Sequence, residues 1–249
     1  FNAVLVNARF YPHSLLGMKL ARRKGLVPVV LDHGSAYLSF SNAILDPCVI
    51  AYEHAITALG KRYKAAYYGI SKKSAEWLRT FGIEAKGVIT NSIDASEFRA
   101  CTSGRDFRSE LGLCSDDFLV AFVGRLIPEK GIDSIIGASY TMELTSRRVV
   151  FALAGDGPLA NQVEIANGKS FYWLGRLNRN DVSALFQQSD AMCLPTRSEG
   201  FSTTLLEASA CGCPSIVTDV GGARELIPGK EYGTIIPSAS PRDLASAIA

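Results

Sequence analysis

Short apolar runs, each followed by a stretch with helical spacing, recur from one end of the chain to the other. Residues 4–6 and 27–31 predict strands, with a helix over 15–24 between them. Residues 46–60 predict a helix and 66–70 a strand. Ser71 is a good cap for a helix that runs to Phe81 and stops at Gly82, and a strand is expected over 86–90. Residues 91–94 turn, and 95–117 are polar and mixed, which marks a boundary. A second alternation then starts. Residues 118–123 are continuously apolar, as a strand covered on both faces requires. A helix over 130–144 would carry Ile132, Ile135, Ile136 and Ser139 on one face. Strands over 149–154, 171–174, 191–194, 215–218 and 234–236 follow, with helices after 158, over 178–188, over 205–211 and from 241. This alternation predicts an α/β protein with parallel, doubly wound sheets. It divides into an N-terminal domain over 1–112 and a C-terminal domain over 113–249, two Rossmann-like domains with a cleft between them. In such sheets ligands lie beyond the carboxyl ends of the strands.

One stretch stands out, Arg197-Ser-Glu-Gly-Phe-Ser-Thr-Thr-Leu-Leu-Glu207. It leaves an apolar strand, turns at Gly200 and enters a helix through Ser202, Thr203 and Thr204, all capping types. A helix opened this way presents free N–H groups and the positive end of its dipole, which suits a phosphate. Glu199 precedes the turn, and Glu207 lies about one helical turn inside, roughly 6–8 Å along the axis. A ligand with a polar head, a charged middle and a hydroxylated tail fits that line, and a nucleotide sugar has that layout.

Charge and cysteine content change the picture only at the margins. Residues 1–112 hold 15 basic and 9 acidic residues, whereas 113–249 hold 11 and 15, so a net charge of +2 hides a basic first half. That half suits an anionic acceptor or peripheral contact with an anionic membrane surface, unless the drift means nothing. No nucleic-acid partner is expected. The six cysteines are scattered, and Cys211 and Cys213 have no second pair or nearby histidine to complete a metal set. Buried, reduced thiols fit a cytoplasmic protein, with the inner face of a membrane as the anionic surface in reach. No apolar run reaches transmembrane length. The chain opens at Phe1 in a strand and stops inside a helix, so both natural termini are expected to lie outside it.

Other candidates sit at strand ends. Arg125 and Lys130, in Gly124-Arg-Leu-Ile-Pro-Glu-Lys-Gly131, follow the first strand of the second domain. They could clamp a diphosphate, Arg by a forked contact and Lys as a point charge, or form a solvated basic loop. Gly155-Asp156-Gly157-Pro158 allows a close backbone approach or, more simply, turns the chain. His33 ends a strand, where it could donate a hydrogen bond, carry a proton or merely bond a loop carbonyl. His13 and His54 are read as structural.

The Glu199–Glu207 spacing matches the E-x7-E motif of the family 4 retaining glycosyltransferases, and the chain resembles that family over most of its length. Phe122-Val-Gly-Arg-Leu126, Glu129-Lys-Gly131, Gly155-Asp-Gly-Pro158, Leu174-Gly175, Ser189-Asp190, Gly200-Phe201, Glu207-Ala208 and Val220-Gly-Gly222 fall in the family's order. His33-Gly34, Ser71-Lys72 and Asn91-Ser-Ile-Asp94 extend the likeness more loosely. The resemblance implies a GT-B fold with two facing Rossmann-like domains. It also implies a UDP- or GDP-sugar donor, retention at the anomeric carbon, no metal and no further cofactor. Arg125 and Lys130 would hold the diphosphate, Glu207 the ribose and Glu199 the donor sugar. Gly200, Phe201, Ser202 and Thr203 would lie beside that sugar, Gly155 at the donor, and Arg176 and Leu177 near the base. His33 would stand close to the reacting centre, so His33, Glu199, Arg125 and Lys130 form the expected catalytic set. The acceptor would be a carbohydrate or a lipid-linked hydroxyl, as in polysaccharide or glycolipid synthesis. The family's opening strand and glycine-rich loop, and its closing helix, have no counterpart here. Two other readings use the same fold: a nucleotide-sugar-binding protein without activity, and a sugar-nucleotide epimerase.

Overall fold

The computed structural model describes residues 1–38, 42–143, 147–168 and 170–249. The chain folds into two compact units. The first comprises Phe1–Asn91, Ser198–Phe201 and Val220–Gly222; the second comprises Ser92–Arg197, Ser202–Asp219 and Ala223–Ala249.

The first unit holds β1 (Leu5–Asn7), α1 (Pro12–Arg23), β2 (Val29–Asp32), α2 (Leu45–Lys61), β3 (Ala66–Gly69) and α3 (Lys72–Trp77). Its three strands are parallel in the order β1-β2-β3. The Ser71 hydroxyl accepts the Ser74 N–H at 3.1 Å and opens α3, which tightens into a 3-10 turn over Leu78–Phe81. Gly82, at φ +63°, ends it in the left-handed region that glycine tolerates best. The expected strand over 86–90 reduces to one bridge, Gly69 with Val88. Val88 and Ile89 stay exposed there, so burial does not reinforce a longer pairing.

The second unit contains α4 (Ala95–Ala100), α5 (Phe107–Glu110), β4 (Phe118–Val123), α6 (Ile132–Met142), β5 (Val149–Ala154), α7 (Ala160–Ala166), β6 (Phe171–Trp173), α8 (Arg179–Gln188), β7 (Ala191–Leu194), α9 (Thr203–Ala210), β8 (Ser215–Thr218), α10 (Ala223–Leu226), β9 (Gly233–Ile236) and α11 (Pro241–Ile248). All six strands are parallel, in the order β6-β5-β4-β7-β8-β9. This is the doubly wound arrangement in which the winding reverses between β4 and β7. β5 is buried along its whole length, as its unbroken apolar run predicts.

The compact units divide after Asn91, not after residue 112 as expected. Polar composition hides two aromatic anchors in the intervening stretch. Phe98 on α4 and Phe107 on α5 are buried in the core of the second unit. Bonds to the main chain add to this: Ser183 Oγ donates to the Phe98 carbonyl at 2.8 Å, and Gln188 Nε2 to the Arg105 carbonyl at 2.8 Å. The α6 helix also starts later than read. Lys130 belongs to a 3-10 turn, Pro128–Lys130, and Gly131 at φ +72° separates that turn from α6. Leu144, the expected end of that helix, lies outside the described residues. Of the six cysteines, Cys193, Cys211 and Cys213 are buried, but Cys48 and Cys114 are exposed and Cys101 is half-buried, so the reading of buried thiols holds for half of them.

Candidate donor site and the seat of Glu199

The ends of β4 and β5 are welded back to back. Gly124 N–H bonds the Ala154 carbonyl at 3.0 Å, Leu126 N–H the Asp156 carbonyl at 2.9 Å, and Leu159 N–H the Leu126 carbonyl at 3.0 Å. Gly155 sits at φ +147°, and a Cβ there would stand 1.8 Å from the Gly124 carbonyl oxygen. The Gly155-Asp156-Gly157 segment is therefore more than a simple turn: its glycines let two loops approach closer than any side chain permits. Beside this weld lies a cavity of about 450 Å³ lined by Gly124, Arg125, Gly155, Arg176, Leu177 and Val182. Its place, past the carboxyl ends of β4 and β5, is where a parallel sheet binds ligands.

Lys130 reaches the same edge by a different route. Its 3-10 turn is bonded to the residues that leave β7. Thr196 Oγ1 donates to the Glu129 carbonyl at 2.8 Å, the Arg197 N–H to the same carbonyl at 2.7 Å, and Arg197 Nη1 to the Pro128 carbonyl at 2.6 Å. Arg197 also forks onto Asp133 in the first turn of α6, at 2.7 and 3.1 Å. That bond holds the Asp133 carboxyl below the usual carboxylate range. A Cβ on Gly131 would meet the Pro195 carbonyl oxygen at 2.2 Å, so only glycine allows the turn to lie this close to β7. Sequence reasoning missed this lock. The signal was available: a cation just before the Glu199 turn and an acid just after Gly131.

The α9 helix opens as read, and the cap is Ser202, whose hydroxyl accepts the Leu205 N–H at 3.2 Å. Thr203 is exposed at its first position. Glu207 is half-buried, and burial pushes its carboxyl up from the usual value, with the charge of Arg179 opposing.

Glu199, Gly200 and Phe201 group with the first unit, where four features seat their main chain. Ser35 Oγ donates to the Glu199 carbonyl at 3.0 Å, Asn91 Nδ2 to the Phe201 carbonyl at 3.1 Å, and the Gly222 N–H to the Gly200 carbonyl at 3.0 Å. A Cβ on Gly200 would stand 2.3 Å from the His33 carbonyl oxygen. His33 itself is exposed at the end of β2, with Nε2 3.2 Å from Asn7 Oδ1. Its partner is thus a side-chain amide and not the loop carbonyl considered from sequence.

Beneath His33 lies a charged cluster that sequence reasoning also missed. Arg9, Asp32 and Glu53 are almost wholly buried, and Arg9 bonds Asp32 at 2.5 Å and Glu53 at 2.7 Å. The Arg9 guanidinium lies 3.7 Å from the centroid of the Phe81 ring. Burial pushes the Asp32 carboxyl up, and the Arg9 charge and hydrogen bonds pull against it. Arg9 and Asp32 lie at strand ends, as His33 does, and that placement is the signal the sequence carries. Glu53 sits within an apolar helical run and gives little warning.

The expected site residues therefore fall into four local groups. Arg125, Gly155, Arg176 and Leu177 line one cavity. Lys130 belongs to the turn pinned to the exit of β7. Ser202, Thr203 and Glu207 belong to α9 and its cap, and His33, Glu199, Gly200 and Phe201 belong to the first unit. Among the described residues no cluster of histidine, cysteine and carboxylate side chains has metal-binding geometry, and no helix is long and apolar enough to cross a membrane.

The sequence profile described as Glycosyl transferases group 1 matches residues 104–249. The putative teichuronic acid biosynthesis glycosyltransferase TuaC of Bacillus subtilis is 29% identical over 98% of this chain and 60% of its own length. A UDP-Gal:alpha-D-GlcNAc-diphosphoundecaprenol alpha-1,3-galactosyltransferase of Escherichia coli is 32% identical over 60% of this chain and 40% of its own. Among solved structures, Anabaena Alr3699/HepE in complex with UDP aligns with a TM-score of 0.75 and 23% identity, covering 98% of this chain and 68% of that one. The chain spans 42%, 36% and 60% of the lengths of three curated relatives it matches. The fold is the GT-B α/β type, and the chain belongs to the glycosyl transferases group 1 family.

Proposed function

We propose that this group 1 glycosyltransferase moves a hexose from a UDP- or GDP-sugar to a hydroxyl acceptor with retention at the anomeric carbon, without a metal or further cofactor. The observation that carries the reading is the carboxyl edge of the second sheet, where Arg125 lines a cavity past the ends of β4 and β5 and the Lys130 turn is locked to the exit of β7. Two cations fixed at such an edge suit a diphosphate, whose charge grows as the sugar leaves. Arg125 and Lys130 neutralise that leaving group, Arg176 and Leu177 flank the base, and Glu207 takes the ribose hydroxyls. In the E-x7-E reading Glu199 meets the donor sugar, with the backbone of Gly200, Phe201, Ser202 and Thr203 beside it, and His33 serves near the reacting carbon. Such a site works mainly by placement and charge stabilisation. A UDP donor is favoured because Alr3699/HepE is described with UDP and with UDP-glucose. A lipid-linked acceptor is favoured because the Escherichia coli relative is named for a diphosphoundecaprenol substrate. That acceptor would put the protein in the cytoplasm at the inner face of a membrane.

The test incubates the full-length protein with UDP- and GDP-sugars, simple and lipid-linked acceptors, and excess chelator. The reading expects release of nucleoside diphosphate that depends on acceptor, and an α-configured product by NMR from an α-configured donor. Folded protein that turns over no donor, or whose product is inverted, refutes it.

A further inference from the structure

The exit of β1 does something that the reading above leaves unassigned. Asn7, Ala8 and Arg9 are consecutive, and Ala8 is held at φ +61°, a left-handed conformation uncommon for alanine. The Ala8 N–H bonds the Leu31 carbonyl at 2.8 Å, which fixes this kink to β2. On one side of the kink, Asn7 Oδ1 lies 3.2 Å from His33 Nε2. An amide oxygen only accepts, so the ring nitrogen facing it carries hydrogen. On the other side, Arg9 runs inward. Its main-chain N–H reaches Asp32 Oδ1 at 3.4 Å, Nη1 reaches Asp32 Oδ2 at 2.5 Å, and Nη2 reaches Glu53 Oε2 at 2.7 Å. Asp32 is the residue before His33. Glu53 Oε1 accepts the Leu38 N–H at 3.1 Å, at the far end of the same loop. Arg9 thus ties both ends of the loop from His33 to Leu38 to one buried guanidinium, and that loop also carries Ser35, which bonds the Glu199 carbonyl at 3.0 Å.

We propose that Asn7 and Arg9 are positioning residues for His33. Asn7 selects the ring tautomer that bears hydrogen on Nε2 and leaves Nδ1 as the basic nitrogen, and Arg9 fixes the loop beneath it. The inference rests on the proposed transfer at His33, but its geometry can be read without turnover.

The experiment uses the full-length protein. Asn7→Ala is expected to lower kcat at least tenfold while UDP affinity stays within twofold, because UDP is bound by the other unit's residues. Nitrogen-15 NMR of the imidazole should show the Nε2–H tautomer dominant in the wild type and a mixture in Asn7→Ala, with Asn7→Gln restoring part of both. Arg9→Met alone strands two buried carboxylates and puts folding at risk, so the uncharged triple Arg9→Met/Asp32→Asn/Glu53→Gln is the informative variant. Its loop amides from Gly34 to Leu38 should exchange at least tenfold faster. An unchanged tautomer in Asn7→Ala, or unchanged exchange in a folded triple variant, overturns the proposal. An inactive wild type that still shows both NMR effects refutes the transfer reading and leaves the positioning intact.

Discussion

The two units solve the problem of burial in opposite ways. In the second, β4 and β5 lie inside a continuous apolar core running from Phe98 to Leu244, and the polar groups that matter are loops at the strand ends. In the first, the sheet has three strands, its apolar cluster is small, and an Arg9–Asp32–Glu53 cluster lies buried at its carboxyl edge. Burying apolar surface stabilises without direction, whereas a buried charge cluster is costly unless each member is paired, and so it dictates one arrangement. The second unit is built to be stable and to carry loops. The first spends stability on holding one loop. Among the described residues, four of its buried polar atoms, Arg9 Nε, Thr57 Oγ1, Tyr67 Oη and Trp77 Nε1, find no hydrogen-bond partner.

The contrast is broken most directly by removing one charge. Arg9→Met leaves two carboxylates buried without their cation and should cost about 3–5 kcal/mol. The uncharged triple variant should lose far less, and urea unfolding of the two compares them. If both lose the same amount, the cluster is ordinary packing. In the second unit, Phe151→Ala removes a fully buried ring from β5 and should cost about 3–5 kcal/mol by cavity formation, with no rescue by any charge change. Arg125→Ala should leave unfolding almost untouched and weaken UDP binding by about 1.5–3 kcal/mol, measured by calorimetry. Ser202→Ala removes the cap of α9 and should cost about 1 kcal/mol.

The smallest effect concerns Glu207. Burial raises its carboxyl in the folded state, so the ionised form opposes folding at neutral pH, and that penalty disappears as pH falls below the ordinary carboxylate value. Glu207→Gln should therefore raise the melting temperature slightly at pH 7 and not at pH 4, while UDP binding weakens. A scan at both pH values with and without UDP separates the two. A loss of stability at pH 7 would mean that the carboxylate is held by its surroundings, not tolerated by them.

These differences explain what could be read in advance. Residues 118–123, 149–154 and 191–194 match β4, β5 and β7 because a strand covered on both faces is written as a continuous apolar run. Ser71 with Gly82 announced helix ends through a side chain and backbone freedom that act within a few residues. What was missed depends on partners far along the chain. Phe98 and Phe107 sit in polar surroundings along the sequence, and their burial needs α8 and α9. The Arg197–Asp133 fork and the Arg9 cluster join residues that no local pattern connects. Of the candidate site, the cavity loop with Arg125 and the Ser202 cap were legible. The expectation that 155–158 chiefly turns the chain failed because the tight approach is to another loop, which spacing alone does not reveal.

The seat of Glu199 bears on how this scaffold could be recombined. The chain passes from one unit to the other at Asn91, and again around Ser198–Phe201 and Val220–Gly222, so no single cut releases either half intact. A chimaera that swaps the first 91 residues for those of a relative would inherit its resident Gly200 loop from the other parent. The graft would have to supply a hydroxyl in place of Ser35, an amide in place of Asn91 and an unobstructed His33 carbonyl. A graft of those residues is then compatible only between parents that agree at those three points.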